Sequence, residues 1–141
     1  MKQNLKLFVA VCLILFAGIA YSAVEGKPRK MQTIPTGMWG GQSIRIEVAG
    51  NSAKVEYDCA NGTIAGPLKL DSKGKFSLMG THTREVGPIR VDAPRDGRPA
   101  RFTGWTDGNK MTLTVTLTEN NQDLGTFTLE RGREGRIRKC R

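Results

Sequence analysis

From Met111 to Thr118 the chain alternates without a break. Met111, Leu113, Val115 and Leu117 fall on one side, and Thr112, Thr114, Thr116 and Thr118 on the other. A period of two places successive side chains on opposite faces of an extended strand, and threonine and valine suit a pleated, half-buried surface. The pattern recurs along the chain. Ile44, Ile46 and Val48 alternate with Arg45 and Glu47, Val55, Tyr57 and Cys59 with Glu56 and Asp58, and Phe76 and Leu78 with Ser77 and Met79. Phe127 and Leu129 share one side of a further segment. Phe102 and Trp105 sit on one strand but on opposite faces, so they do not share a core.

Turn formers separate these segments: Gly50-Asn51, Asn61-Gly62, Asp71 to Gly74, and Asp107 to Asn109. Asn61-Gly62 reads as a hairpin turn; with Thr63 it also matches a glycosylation sequon, although the turn alone accounts for it. Pro67 marks an edge, a bulge or a bend. Periodicity fades between Gly80 and Val86, and residues 92–99 form a polar loop bounded by Pro94 and Pro99. No segment reads as an amphipathic helix. The fold class is all-β, a small antiparallel up-and-down barrel of about seven or eight strands, with a β-sandwich as the alternative. The barrel is preferred because sequential hairpins need no long crossover and closure removes sheet edges.

The first residues read differently. Lys2 and Lys6 precede an apolar run, Leu7 to Ala20, shorter than the roughly 20 residues a spanning helix needs, and small residues follow it. Residues 1–23 are read as a cleaved signal peptide, with an uncleaved anchor as the alternative. Cleavage would leave no stable transmembrane span and an exported chain, periplasmic or secreted. Residues 24–36 then form an extended arm, and 37–141 a single β domain with a basic C-terminal segment.

The formal charge of +9 comes from 22 Lys and Arg against 13 Asp and Glu. It is carried by the ends: residues 31–130 hold 11 charges of each sign, whereas Arg131, Arg133, Arg136, Arg138, Lys139 and Arg141 face only Glu134 in the last segment. Arg136, Arg138 and Arg141 are candidates for contact with an anionic surface, against the plainer reading of a solvated terminus. Nucleic acid is disfavoured, because no aromatic stripe interleaves with the bases.

Cys59 and Cys140 remain after cleavage. In an oxidising compartment an even pair is most simply one disulfide; a free thiol pair or an intermolecular link are the alternatives. A disulfide would place the C-terminal arginines on the barrel wall or rim. His82 is the single histidine. With Glu85 or Asp92 it is a candidate general base, and otherwise an ordinary surface residue of a Thr-rich segment. The carboxylate pairs Asp92/Asp96 and Asp107/Glu119 have no spacing that favours catalysis over solvated loops. No nucleophile elbow, zinc motif, calcium loop or phosphate loop is present, so no cofactor and no metal are expected.

Gly37-Met38-Trp39, followed by a strand from Ser43, resembles the G-x-W start of the lipocalin and wider calycin barrels. The resemblance implies that Trp39 closes one end of a barrel beneath an arginine near the last strand, Arg131 or Arg133. In size the chain is similar to small secreted bacterial metalloprotease inhibitors, which share the G-x-W start and a disulfide and insert an N-terminal arm into the protease. Here the arm is more basic and longer, and the disulfide would span most of the domain. The overall look is that of a bacterial exported protein.

The function expected from these features is non-enzymatic binding. The ligand would be small and apolar, or an envelope component, and would be held by Tyr57, Phe76, Leu78, Phe102, Leu113 and Phe127. The alternatives are a protein partner reached through the arm 24–36, and an anionic envelope surface reached through the C-terminal arginines.

Overall fold

The alternation of the sequence becomes eight antiparallel strands in the computed structural model, which describes residues 32–85 and 97–140. Expectations placed on residues 1–31, on Asp92 and Asp96, or on Arg141 lie outside the described residues. The strands are β1 (Gly37–Gly41), β2 (Ile44–Ala49), β3 (Ser52–Tyr57), β4 (Ala60–Ala65), β5 (Lys75–Arg84), β6 (Arg98–Thr106), β7 (Lys110–Leu117) and β8 (Gln122–Arg131). Each pairs with its neighbours in the chain, and β1 pairs with β8, closing the barrel. The fold is thus the up-and-down barrel, not the sandwich.

The inward side of every strand is its apolar side. Ile44, Ile46 and Val48 of β2, Ala53, Val55 and Tyr57 of β3, and Met111, Leu113, Val115 and Leu117 of β7 are all buried. Burying a Leu, Ile or Val side chain contributes roughly 1.5–3 kcal/mol, so these rows supply most of the drive to close the sheet. Phe102 and Trp105 divide as their spacing requires, with Phe102 fully buried and Trp105 41% exposed.

Two segments depart from the reading of the sequence. Asn61-Gly62 is not a turn; both residues lie inside β4, paired with Glu56 and Val55. The chain turns at Asp58-Cys59 instead, with Cys59 at φ 59°. Packing decides the register. Gly62 and Gly80 lie on adjacent strands where a Cβ would run into the neighbouring backbone, the Thr81 carbonyl at Gly62 and the Thr63 carbonyl at Gly80, and at Gly80 into the Phe102 ring as well. The fading periodicity after Gly80 also does not end the strand. β5 continues to Arg84, with Thr81 and Thr83 on the outer face, where Thr81 bonds Thr63 at 2.9 Å, and only His82 on the inward face.

One end of the barrel, the base, is sealed. At Pro67 the chain bends out of the sheet, and Leu68 and Leu70 fold beneath the strands beside Ile34, all three buried. The N–H of Ile34 donates to the Leu68 carbonyl (2.8 Å) and that of Leu70 to the Gln32 carbonyl (2.5 Å). The last residues of the expected arm, 32–36, are therefore tied to the domain. Trp39, 0% exposed, donates its indole N–H to the Pro35 carbonyl at 3.0 Å.

After β8 the chain reverses and runs outside β1 as a strap toward the opposite end. Gly132 donates to the Met38 carbonyl, Arg136 to Gly41, Ser43 to Arg136, and Cys59 to Arg138. The approach is so close that a Cβ at Gly40 would run into the strap backbone at Gly135, and one at Gly135 into the Ile44 carbonyl. Cys140 then bonds Cys59 as a disulfide, with Cα atoms 4.8 Å apart and 81 residues of separation. The C-terminal arginines lie along the barrel wall.

A Cβ at Gly80 would lie 2.9 Å from Phe102 Cε2. Gly80→Ala is expected to destabilise the protein by about 1–3 kcal/mol through overpacking, read as a lower midpoint in urea with an unchanged slope.

Candidate functional site: the open end of the barrel

The other end, the mouth, carries, among the described residues, the turns at 42–43, 58–59 and 118–121 and the end of the strap. β1 stops at Gly41, opposite Leu129. β8 extends farther toward the mouth, and residues 122–128 are paired on the β7 side alone among the described residues. A register shift at Val115/Thr116 bends β8 there. The interior is consequently less covered at this seam, and Leu124 and Phe127 are only half-buried.

Tyr57 faces Phe127 across the mouth, with ring centroids 5.7 Å apart, and His82 on its other side at 5.5 Å. Both pairs are tilted, a usual aromatic geometry. The alternation of β5 explains why His82 is here. Phe76, Leu78, Gly80 and His82 share one face, so the histidine is the last inward position of that strand. It belongs to the mouth and not to the outer wall.

Tyr57 is 6% exposed, and its hydroxyl has no hydrogen-bond partner among the described residues. His82 Nδ1 is likewise buried without a partner. An unpaired buried polar atom costs about 1–3 kcal/mol, and here two stand beside one another. Burial pushes the Tyr57 pKa up, so the phenol stays a neutral donor. Burial, and secondarily the positive charge of Arg98, hold the His82 pKa below its ordinary value of 6.5. The imidazole is therefore neutral at pH 7, with one nitrogen able to accept a hydrogen bond. Arg98 pairs with Glu119 at 2.9 Å on the rim, and Lys139 of the strap reaches Glu85 at 3.8 Å. Asp58 accepts the Arg138 N–H at 2.6 Å, which, with a Ser43 hydrogen bond, lowers its pKa.

Of the residues expected to line a ligand site, Tyr57 and Phe127 meet at the mouth, whereas Leu78 lies lower on β5, level with its register partner Phe102. Phe76, Phe102 and Leu113 are buried within the packed core. Leu124 and His82 join the site without having been assigned to it; continuing the β5 alternation past Gly80 would have found the histidine. Glu85 accepts from the Asn61 amide at 3.1 Å, on the outer side of the sheet.

At the base, Trp39 and Arg131 are register partners, and the Arg131 guanidinium donates to the Thr36 carbonyl at 3.2 Å, beside the Pro35 carbonyl held by Trp39. Arg133 instead reaches Glu130 at 3.2 Å. Arg136 and Arg138 are exposed on the strap. Among the described residues no helix is long and apolar enough to cross a membrane.

Comparison with protein families, with curated proteins and with solved structures finds no match to this chain. What the structure carries of the calycin resemblance is the closed eight-stranded antiparallel barrel.

Two outcomes are expected. Tyr57→Phe removes the unpartnered hydroxyl and keeps the ring, so the ligand-free variant should gain about 1 kcal/mol, seen as a raised melting temperature. Because the folded His82 pKa lies below 6.5, the unfolded chain binds the proton first as pH falls. The stability contributed by neutral His82 is complete above about pH 6.5 and is lost below it, down through the folded pKa. Melting temperatures measured from pH 8 to pH 5 should show this loss in the native protein and a flatter profile in His82→Asn.

Proposed function

We propose that this is a non-enzymatic binding protein that takes one small, largely apolar ligand at the mouth of the barrel. The observation that carries the reading is the pair of polar atoms without a partner among the described residues, Tyr57 Oη and His82 Nδ1, with the half-buried Phe127 against Tyr57 and the half-buried Leu124 on the same strand as Phe127. Small-molecule sites combine an apolar lining with a few placed polar groups, and barrel mouths are a common position for them. A ligand with an apolar body against Phe127 and Leu124 and one polar group on Tyr57 and His82 would satisfy both atoms. Its polar group would need to accept from the phenol and donate to the imidazole, as a hydroxyl does.

The N-terminal pattern of residues 1–23 and the disulfide support export to an oxidising compartment, periplasmic or extracellular. The arginines exposed along the strap support a second contact, with an anionic envelope surface.

Titration with the neutral fluorophore N-phenyl-1-naphthylamine tests the ligand site. One-to-one saturable enhancement is expected, weakened about tenfold in Phe127→Ala, which removes an aromatic wall. Displacement of the probe by a long-chain alcohol should weaken in Tyr57→Phe even as that variant becomes more stable. Enhancement that does not saturate, or that is identical in Phe127→Ala, would exclude the mouth as the site.

A further inference from the structure

Trp105 has no place in the core or the mouth. It lies on the outer face of β6 near the base, paired in register with Lys75 and Thr112. Its indole N–H donates to the Lys73 carbonyl at 2.9 Å, which fixes the ring against the turn that carries Asp71 to Gly74. A side chain held this firmly has already given up much of its rotamer freedom, yet a large part of it remains in water. Beside it runs a groove of about 310 Å³, formed by residues 32–35, the 70–74 turn and the 105–108 turn. That volume is at the lower end of small-molecule sites, roughly 300 Å³.

The polar lining of the groove is fixed by its two turns. Asp71 Oδ1 accepts the N–H groups of Lys73 and Lys75, both at 2.8 Å, and Asp107 Oδ1 accepts those of Asn109 (2.8 Å) and Lys110 (2.7 Å). These backbone hydrogen bonds hold both carboxyls below the usual carboxylate range, so both remain ionised. In each case one oxygen is spent on the turn, and the other has no hydrogen bond among the described residues. Gln32, Ser72 and Lys73 also line the groove. It therefore offers an aromatic surface, two oriented acceptors, an amide and one cation.

We propose that this groove is a second binding site, at the opposite end of the barrel from the mouth, for a neutral pyranose saccharide. A pyranose has an apolar C–H face that stacks on an indole and equatorial hydroxyl pairs that donate to a carboxylate. It also carries ring and hydroxyl oxygens that accept from an amide or an ammonium. Two carboxylates disfavour an anion, and Lys73 in the same lining opposes a simple cation. A neutral polyhydroxylated ligand uses every group present. The site does not depend on the mouth, since none of its lining residues belongs to that end.

The chain contains two tryptophans, and Trp39 is fully buried, so acrylamide quenching reports Trp105. The protein is titrated separately with cellohexaose, chitohexaose, maltohexaose and choline. One of the three sugars is expected to shield Trp105 from acrylamide, with an affinity insensitive to added sodium chloride. Trp105→Ala should weaken binding of that sugar about tenfold or more, followed by calorimetry, and Trp105→Phe should recover part of it. Near-ultraviolet dichroism of Trp39 confirms that both variants fold. Three results would overturn the proposal: no shielding by any of the sugars, shielding by choline alone, or undiminished binding in folded Trp105→Ala. N-phenyl-1-naphthylamine bound at the mouth should leave the quenching unchanged, which separates failure of this site from failure of the other.

Discussion

The barrel depends on the seam between its first and last strands. Every other strand pair joins strands consecutive in the chain, but β1 and β8 are separated by most of the domain and meet through only three register pairs, Trp39–Arg131, Gly40–Glu130 and Gly41–Leu129. A pairing this short contributes few hydrogen bonds against the entropy of closing so long a loop. Three neighbouring features reinforce it. Trp39 is buried directly beneath it, the 32–36 segment ties the base to Leu68 and Leu70, and the strap crosses outside β1 and is fixed by the disulfide. Without closure, β1 and β8 would both present free edges, and the inward apolar rows would face water.

The same seam shapes the candidate site. Because β1 ends at Gly41 while β8 runs on, residues 122–128 of β8 are paired on one side only among the described residues. Phe127 and Leu124 lie on this stretch, and Tyr57 faces Phe127. The two ends also differ in polar chemistry. At the base the carboxylates are committed to turns and remain on the surface, whereas at the mouth a phenol and an imidazole carry buried atoms without a partner among the described residues. A fold optimised for stability alone would place phenylalanine at Tyr57. The hydroxyl is a local cost to stability, which the proposed ligand would offset.

Much of the fold was legible because period-two alternation and turn chemistry agree along most of the chain. β2, β3, β7 and β8 follow directly from their apolar rows, and the Phe102/Trp105 division follows from spacing alone. Local rules failed where tertiary packing outweighed them. Asn61-Gly62 has strong turn chemistry, but Gly62 is needed where β4 passes close against the Thr81 carbonyl of β5, and the turn moves to Asp58-Cys59, where the strap and the disulfide hold it. The mouth was legible only in part. Aromaticity and alternation identify inward residues but not depth along the barrel, so Phe76, Phe102 and Leu113 looked equivalent to Tyr57 and Phe127. Depth is set by where β1 ends, and no residue pattern announces that. The groove at Trp105 was hidden for a similar reason, since its three segments meet only when the base closes.

The disulfide also determines which parts of the molecule can carry mechanical load. Tension applied between Gln32 and Cys140 would pass along β1, β2 and β3 to Cys59, cross the sulfur bridge and leave at Cys140. The five strands β4 to β8 lie inside the covalent loop and cannot be drawn out along the line of force while the bridge is intact. Roughly 270 Å of extended chain is thereby withheld, taking 81 residues at about 3.4 Å each. Under tension the protein would behave as a short elastic element in oxidising surroundings and as a long one once reduced.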